Sequence, residues 1–375
     1  MTVAVARFQS VSCTRLSVPL HTPFVTALRR TTTTDTVVVR ITDSDGTAGW
    51  GEAPQVWKVT GESLASAVAC VEEMLAAVVV GRDVDEWEAV LSEVTTVVAR
   101  NFGAKAAVDV AVRDLVARRS GMTLAQLLAG GVDVHLPSRV RTDVTLSAGT
   151  VSDLAETATL RVADGFSCLK MKVGTDASMD VARVRAVREA VGRDVAIRLD
   201  ANQGWRPDEA VEVIRALETA DLGVEFVEQP VAGEDVEGLA AVRSRVGLPI
   251  MADEAVYGRV DLDRILRLRA ADLINVKLAK CGSLGLAREL LACAAENGLG
   301  TMVGSMMETE IGVGAIASLT AACPTSVVDD LDAAWWAAKR PVVGGPWYDG
   351  DHLVLTTERG SGVVELGPQL TGDSR

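Results

Sequence analysis

Histidine is scarce in this chain. Only His21, His135 and His352 occur in 375 residues, and none lies at the end of a predicted central strand. A Ser-His-Asp triad and a histidine-rich metal site are thereby excluded, which leaves lysine and carboxylates for any acid–base chemistry. The six cysteines show no CxxC spacing, so they read as small buried apolar residues rather than disulfides or zinc ligands. Neither GxGxxG nor GxxxxGKS/T is present, which removes the common phosphate cradles. Positive charge is also short: the formal net charge is −14 and the pI about 4.8. No field exists to attract phosphates, so neither nucleic acid nor an acidic membrane surface is an expected partner. No apolar run approaches the ~20 residues that span a bilayer, and the N-terminus lacks the basic start and apolar stretch of a signal peptide. A cytoplasmic homo-oligomer acting on a small molecule is the expectation.

What the chain does have is bulk: 48% of it is hydrophobic, enough for one large barrel or two to three ordinary domains. Residues 3–18 read as a strand, and Thr36–Thr42 with Thr47–Glu52 around Asp45-Gly46 as a β-hairpin. Between them, residues 20–30 read as a lid loop. Helical periodicity follows over Glu62–Val80, Asp85–Val98 and Ala104–Leu115. Together these make an α+β capping domain over residues 1–130. From 131 to 340 the texture changes to short apolar strands alternating with helices. The strands are read at Arg141–Ser147, Ser167–Lys172, Val195–Asp200, Gly223–Glu228, Pro249–Asp253, Leu273–Lys277, Gly300–Gly304 and Ser326–Asp330. Their ends recur at steps of 28, 28, 25 and 24 residues from Lys172 to Lys277, the pattern of a parallel (β/α)8 barrel of TIM type. Residues 341–375 are turn-rich and are expected to return to the capping domain.

In such a barrel the C-terminal strand ends share one mouth. Lys170, Lys172, Asp200, Glu228, Asp253, Lys277 and Asp330 would then converge. A carboxylate at a strand end often does no more than cap the next helix. Three in succession, Asp200, Glu228 and Asp253, repel one another unless a cation neutralises them, and a hard divalent ion is the natural choice, Mg²⁺ first and Mn²⁺ second. Lys172 on the strand before and Lys277 on the strand after would face a bound substrate from opposite sides. One amine can then remove the proton next to a carboxylate and the other return it to the far face, inverting that carbon through an enediolate. Such a base needs a lowered pKa, which Lys170 and the metal are expected to provide.

The pieces Lys170-Met171-Lys172, Asp200-Ala201-Asn202-Gln203-Gly204-Trp205, Glu228-Gln229-Pro230, Ala252-Asp253-Glu254 and Asn275-Val276-Lys277-Leu278 resemble the enolase superfamily, in its muconate-lactonising subgroup. The resemblance implies a capping domain over a modified barrel, Mg²⁺ on Asp200, Glu228 and Asp253, and Lys172 with Lys277 as the acid–base pair. Asn202 and Glu254 would support the ligands from behind. Within the subgroup, Asp330-Leu331-Asp332 is similar to the Asp-x-Asp motif with which dipeptide epimerases bind the substrate ammonium group. Pro23–Arg29 resembles the segment whose arginine pairs with an acidic side chain, a role that would fall to Arg29. Lys170 would hold the enediolate, and Thr145 and Ser305 would line the pocket. The implied reaction is epimerisation of a dipeptide's C-terminal residue, with L-Ala-D/L-Glu favoured. The alternatives on the same scaffold are muconate cycloisomerase, o-succinylbenzoate synthase and N-acylamino acid racemase, none of which needs an ammonium-binding acid pair. Two departures from the pattern stand out: Glu310 as an extra acid near the mouth, and the bulky pair Trp335-Trp336.

Overall fold

Valines at alternate positions give the second strand two faces, and each finds its own cover. In the computed structural model, which describes residues 5–25, 30–132 and 134–367, β1 (Phe8–Val25), β2 (Arg30–Asp43) and β3 (Ala48–Pro54) form an antiparallel sheet in that order. Val37, Val39 and Ile41 pack on the helices of the capping domain. Val38, pointing the other way, joins Leu16, Trp50 and Ile311. The β2–β3 turn is held by the Asp43 carboxylate, which accepts from the Asp45 and Thr47 amides at 3.0 and 2.8 Å. Residues 20–25 continue β1 rather than forming an irregular loop. The pairing with β2 skips from Pro19 to Phe24, at a proline with no N–H to donate. Arg29 lies outside the described residues.

The helix Phe102–Arg119 lies directly on β3. Its closeness depends on glycine. A Cβ at Gly51 would sit 1.9 Å from the Ala107 carbonyl oxygen, and one at Gly49 would sit 2.0 Å from that of Ala111.

After β4 (Arg139–Arg141) come the seven parallel strands β5 (Val144–Leu146), β6 (Cys168–Lys172), β7 (Ala196–Asp200), β8 (Val224–Glu228), β9 (Ile250–Ala252), β10 (Leu273–Lys277) and β11 (Gly300–Gly304), bonded in sequence order. Helices wrap the outside, and Leu169, Ile197, Ile250 and Ile274 are buried against them. The expected eighth strand is only bridge-like: Asp329 pairs with Thr142, and Asp330 with Gly304. Side chains replace part of the backbone pairing there, beside backbone bonds such as that from the Asp330 N–H to the Val303 carbonyl at 3.0 Å. The Thr301 amide donates to Ser326 Oγ at 2.7 Å and the Val303 amide to Asp329 Oδ1 at 3.0 Å, so no regular ladder forms although the ring closes.

The tail divides its contacts. β12 (Val342–Gly344) pairs with β15 (Val363–Leu366), while β13 (Trp347–Asp349) and β14 (His352–Val354) extend to β4. Arg118 and Asp114, on the helix Phe102–Arg119, bind the Val363 carbonyl and the Ser361 amide at 2.6 and 2.5 Å. The return to the capping domain is made by residues 360–366, bonded to Met122 and Leu124, and by Val342, which packs with Leu16 and Val38, while the hairpin of β13 and β14 pairs with β4. No helix among the described residues is long and apolar enough to cross a membrane.

Candidate active site

Parallel strands bring their C-terminal ends to one mouth, and a cavity of about 80 Å³ opens there. Its walls include Lys170, Lys172, Lys277, Asp253, Asp330 and Asp332, with Thr145, Ser305, Asn202 and Glu254. Asp200 and Glu228 lie beneath this wall, fully buried. Three strands, β7 to β9, separate Lys172 from Lys277, so the two amines approach from different sides. Segment 56–59 and Phe24 close the mouth from above.

Each lysine is matched to an acid. Lys172 Nζ donates to Asp200 at 2.5 Å, Lys277 Nζ to Asp253 at 2.8 Å, and Lys170 Nζ to Asp330. A further lysine, Lys280, donates to the Asp253 carboxylate and carbonyl and, at 3.1 Å, to the Asn275 carbonyl. The Asn275 amide reaches Glu228 Oε1 at 2.8 Å. Gln229 Oε1 accepts from the Asp253 and Ala255 amides at 2.9 and 3.1 Å, fixing the turn after Asp253. Asn202 donates to Asp200 at 3.2 Å and to Glu254 at 3.4 Å, tying those two acids together.

The electrostatics follow. Burial raises Glu228, and the neighbouring Asp200 raises it further, so its carboxyl is pushed up to about 7. Burial, Asp253 and Asp200 push Glu254 up to about 8. Burial alone would raise Asp253, but Lys277 and Lys280 outweigh it and hold that carboxyl below the usual range. For Lys277, burial acts to lower the pKa; Asp253, Glu228 and Asp330 overcome this, and the amine is held up. Lys170, expected to depress the base, is the smallest of these influences on Lys277. The lowering it was expected to cause is absent because three nearby carboxylates dominate.

Glu228 Oε2 is buried with no hydrogen-bond partner, as is Glu254 Oε2. An orphaned carboxylate oxygen between two acid-ended strands has the chemistry of a hard-cation donor set. Among the described residues, no three acids or histidines presently converge closely enough to hold an ion, because Asp200 and Asp253 are turned onto their lysines. The donor set fits a divalent cation once those amines let go.

Asp332 Oδ2 accepts from the Thr145 amide at 2.7 Å and from the Trp336 indole at 2.9 Å. Trp336 therefore does not crowd the cavity. Its ring stacks on His21 and meets Phe24 edge-on, at centroid distances of 5.4 Å in both cases. Glu310 is also away from the mouth, paired with Arg340 at 3.0 Å. The acid that does lie buried behind the mouth is Glu308, whose Oε1 accepts from the Met306 amide at 2.9 Å. Ser305 Oγ donates to the Asp330 carbonyl at 3.3 Å.

Sequence reasoning missed Lys280 and the 56–59 segment, and quoted Asn275 within a motif without giving it a role. Asn275 was readable, since it shares a strand face with Lys277 two positions on. Lys280, in the apolar run Leu278–Cys281, also carried a signal, because a lone lysine there must find a buried partner. The loop carried none.

Residues 9–129 match the family described as the mandelate racemase/muconate lactonizing enzyme N-terminal domain, and residues 153–365 match the enolase C-terminal domain-like family. The L-Ala-D/L-Glu epimerase of Bacillus subtilis (strain 168) is 39% identical over 355 residues, 94% of this chain and 96% of that protein. A solved substrate-liganded complex of the L-Ala-D/L-Glu epimerase from Bacillus subtilis superposes with a TM-score of 0.93 at 38% identity, covering 96% of this chain and 99% of that one. The dipeptide epimerase of Enterococcus faecalis V583, complexed with Mg and the dipeptide L-Leu-L-Tyr, gives a TM-score of 0.89 at 36% identity, over 96% and 100% of the two chains. With both parts of its length matched and its barrel mouth so furnished, the chain belongs to the mandelate racemase/muconate lactonizing enzyme family of the enolase superfamily.

Proposed function

We propose that the chain is a Mg²⁺-dependent dipeptide epimerase that inverts the α-carbon of the C-terminal residue. The observation that carries this reading is that Lys172 and Lys277 line one cavity from strands β6 and β10, with β7 and β8 between them ending in Asp200 and Glu228 and Asp253 directly following β9. Asp200, Glu228 and Asp253 would hold the cation, which supplies Lewis-acid stabilisation of the negative charge that develops on the substrate carboxylate.

Everything else is done by side chains of this chain. One of Lys172 and Lys277 starts as the neutral amine and takes the α-proton. The other, protonated, delivers a proton to the opposite face of the planar enediolate. Lys170, buried and cationic beside Asp330, stabilises the same developing charge without moving a proton. Asp330 and Asp332 share one wall of the cavity, as two carboxylates meeting a substrate ammonium would. Thr145 and Trp336 hold Asp332 in place for that contact through their N–H groups. Ser305 lines the pocket beside Asp330, and Asn202 with Glu254 braces the ligand set. The names of the related epimerases support the same chemistry, with an acidic dipeptide such as L-Ala-D/L-Glu as the favoured substrate and Arg29 as a carboxylate partner.

The test is a dipeptide library incubated with the Mg²⁺-supplemented protein in deuterated water, read by mass spectrometry, with N-acyl amino acids as comparators. One deuterium entering at the C-terminal α-carbon of free dipeptides is the expected result. Uptake into N-acyl amino acids alone would transfer the protein to the racemase reading.

A further inference from the structure

Lys172 and Asp200 end neighbouring strands, and the loops that follow them are fastened very differently. The loop after β7 is bound along its length to the loop after β8: the Ala201, Gln203 and Trp205 amides donate to the Glu228, Gln229 and Pro230 carbonyls at 3.1, 2.9 and 3.0 Å. Asp200 therefore stands on a fixed base. The loop after β6 starts with one bond of this kind, from the Val173 amide to the Asp200 carbonyl at 2.9 Å, and then presses its backbone against its neighbour. A Cβ at Gly174, where φ is +84°, would lie 2.5 Å from the Ala201 carbonyl oxygen, and one at Gly204 would lie 2.5 Å from that of Gly174. Close approach does not by itself satisfy the Gly174 amide, which still needs an acceptor.

Asp180 supplies it. This residue lies in the first turn of the helix Ala177–Val191 and is buried. Its Oδ2 accepts both from the Gly174 amide at 3.0 Å and from the Trp205 indole N–H at 3.2 Å, while Oδ1 pairs with Arg183 at 3.0 Å. One carboxylate oxygen thus ties the loop that follows Lys172 to the loop that is already fixed. Lys277 shares none of these bonds: it stands on β10, four strands on, and its partner Asp253 is held by the Gln229 side chain instead. We propose that Asp180 is a positioning residue for Lys172, setting that amine on its face of the substrate through the clamp of Gly174 to Trp205. This role rests on the dipeptide epimerase reading above. A reacting group displaced by about 1 Å can lose about 100-fold in rate, so a clamp two residues from the amine has leverage on one proton transfer and little on the other.

The test measures deuterium entering the uninverted substrate, with L-Ala-L-Glu and L-Ala-D-Glu given separately to Mg²⁺-supplemented protein in deuterated water. Lys172→Ala and Lys277→Ala identify which epimer each lysine serves. In Asp180→Ala, exchange of the epimer served by Lys172 is expected to fall by about 10-fold or more, and exchange of the other to stay within about 2-fold. Epimerisation itself should slow equally in both directions, because the enzyme does not set the equilibrium between the epimers. Asp180→Asn is expected to keep both exchanges within about 3-fold of the wild type, since its carbonyl oxygen can accept both N–H groups and only the Arg183 pair is lost. Trp205→Phe, which removes the indole N–H alone, should show the same bias at smaller size, and it carries the test if Asp180→Ala does not fold. Equal loss for both epimers, no loss in Asp180→Ala, or a loss in Asp180→Asn as large as in Asp180→Ala would overturn the proposal. The two readings fail differently. Exchange by the wild type with no bias in the variants removes the role of Asp180 and leaves the epimerase, whereas a wild type that exchanges neither epimer removes both.

Discussion

Glu308 shows how a single carboxyl can make the whole fold sensitive to pH. Its Oε2 lies only 2.1 Å from where a Cβ of Gly312 would stand, so the helix beginning at Glu310 accommodates it by having glycine there. Burial, and then the charge of Glu52, push its carboxyl up to about 8. An acid raised in the native state binds more protons folded than unfolded between the two pKa values. Its stabilising contribution is therefore present below about 4.5 and is lost as pH rises through about 8. Glu308→Gln keeps the acceptor for the Met306 amide and mimics the protonated form. Melting curves from pH 5 to pH 9 should show the wild type losing several degrees more than this variant; parallel slopes would mean that Glu308 does not titrate in this range. The same residue marks a limit of sequence reading. Lys172, Lys277 and the three strand-end acids were legible because strand periodicity and barrel spacing placed them. The role of Glu308 was not, because it depends on burial and on Glu52, far along the chain.

Among the elements, the contact of helix Phe102–Arg119 with β3 is the tightest test of packing. Gly51→Ala would place a methyl group 1.9 Å from the Ala107 carbonyl oxygen, and the helix must shift to admit it. A loss of about 1–3 kcal/mol is expected in urea denaturation, while an unchanged midpoint would show that the helix sits farther out. The strands β5 to β11 were readable from apolar runs and their spacing. The eighth was over-read, because the side chains of Ser326 and Asp329 take the place of every other backbone bond to the neighbouring strand, which leaves isolated bridges rather than a regular ladder. The extension of β1 through residue 25 was under-read. Polar threonines and a proline suggest a loop, yet pairing with β2 resumes beyond Pro19, an effect of a partner strand that local composition does not reveal.

For the molecule as a whole, the capping domain and barrel meet through buried acids. Glu52, on β3, accepts from the Thr309 amide and hydroxyl at 2.9 and 2.6 Å and from the Gly312 amide at 2.9 Å, at the start of the helix Glu310–Ala322. The loop after β11, which brings Ser305 and Met306 to the cavity, is thus fastened from the other domain. The orphaned Glu228 oxygen in the barrel floor calls for a cation, so Mg²⁺ at 100 times its Kd should stabilise the protein by about 2.7 kcal/mol. EDTA should reverse the rise in melting temperature and abolish turnover; a melting temperature indifferent to both would deny the metal site. The central claim is that two lysines work on opposite faces of one carbon, and its most direct measurement is α-proton exchange of L-Ala-L-Glu and L-Ala-D-Glu, each in deuterated water, with Lys172→Ala and Lys277→Ala. Each variant should lose epimerisation by about 1,000-fold or more, and each should still exchange the proton of one epimer only, the opposite epimer in the two cases. Epimerisation by either variant at the wild-type rate, or exchange of the same epimer in both, would contradict the two-lysine mechanism.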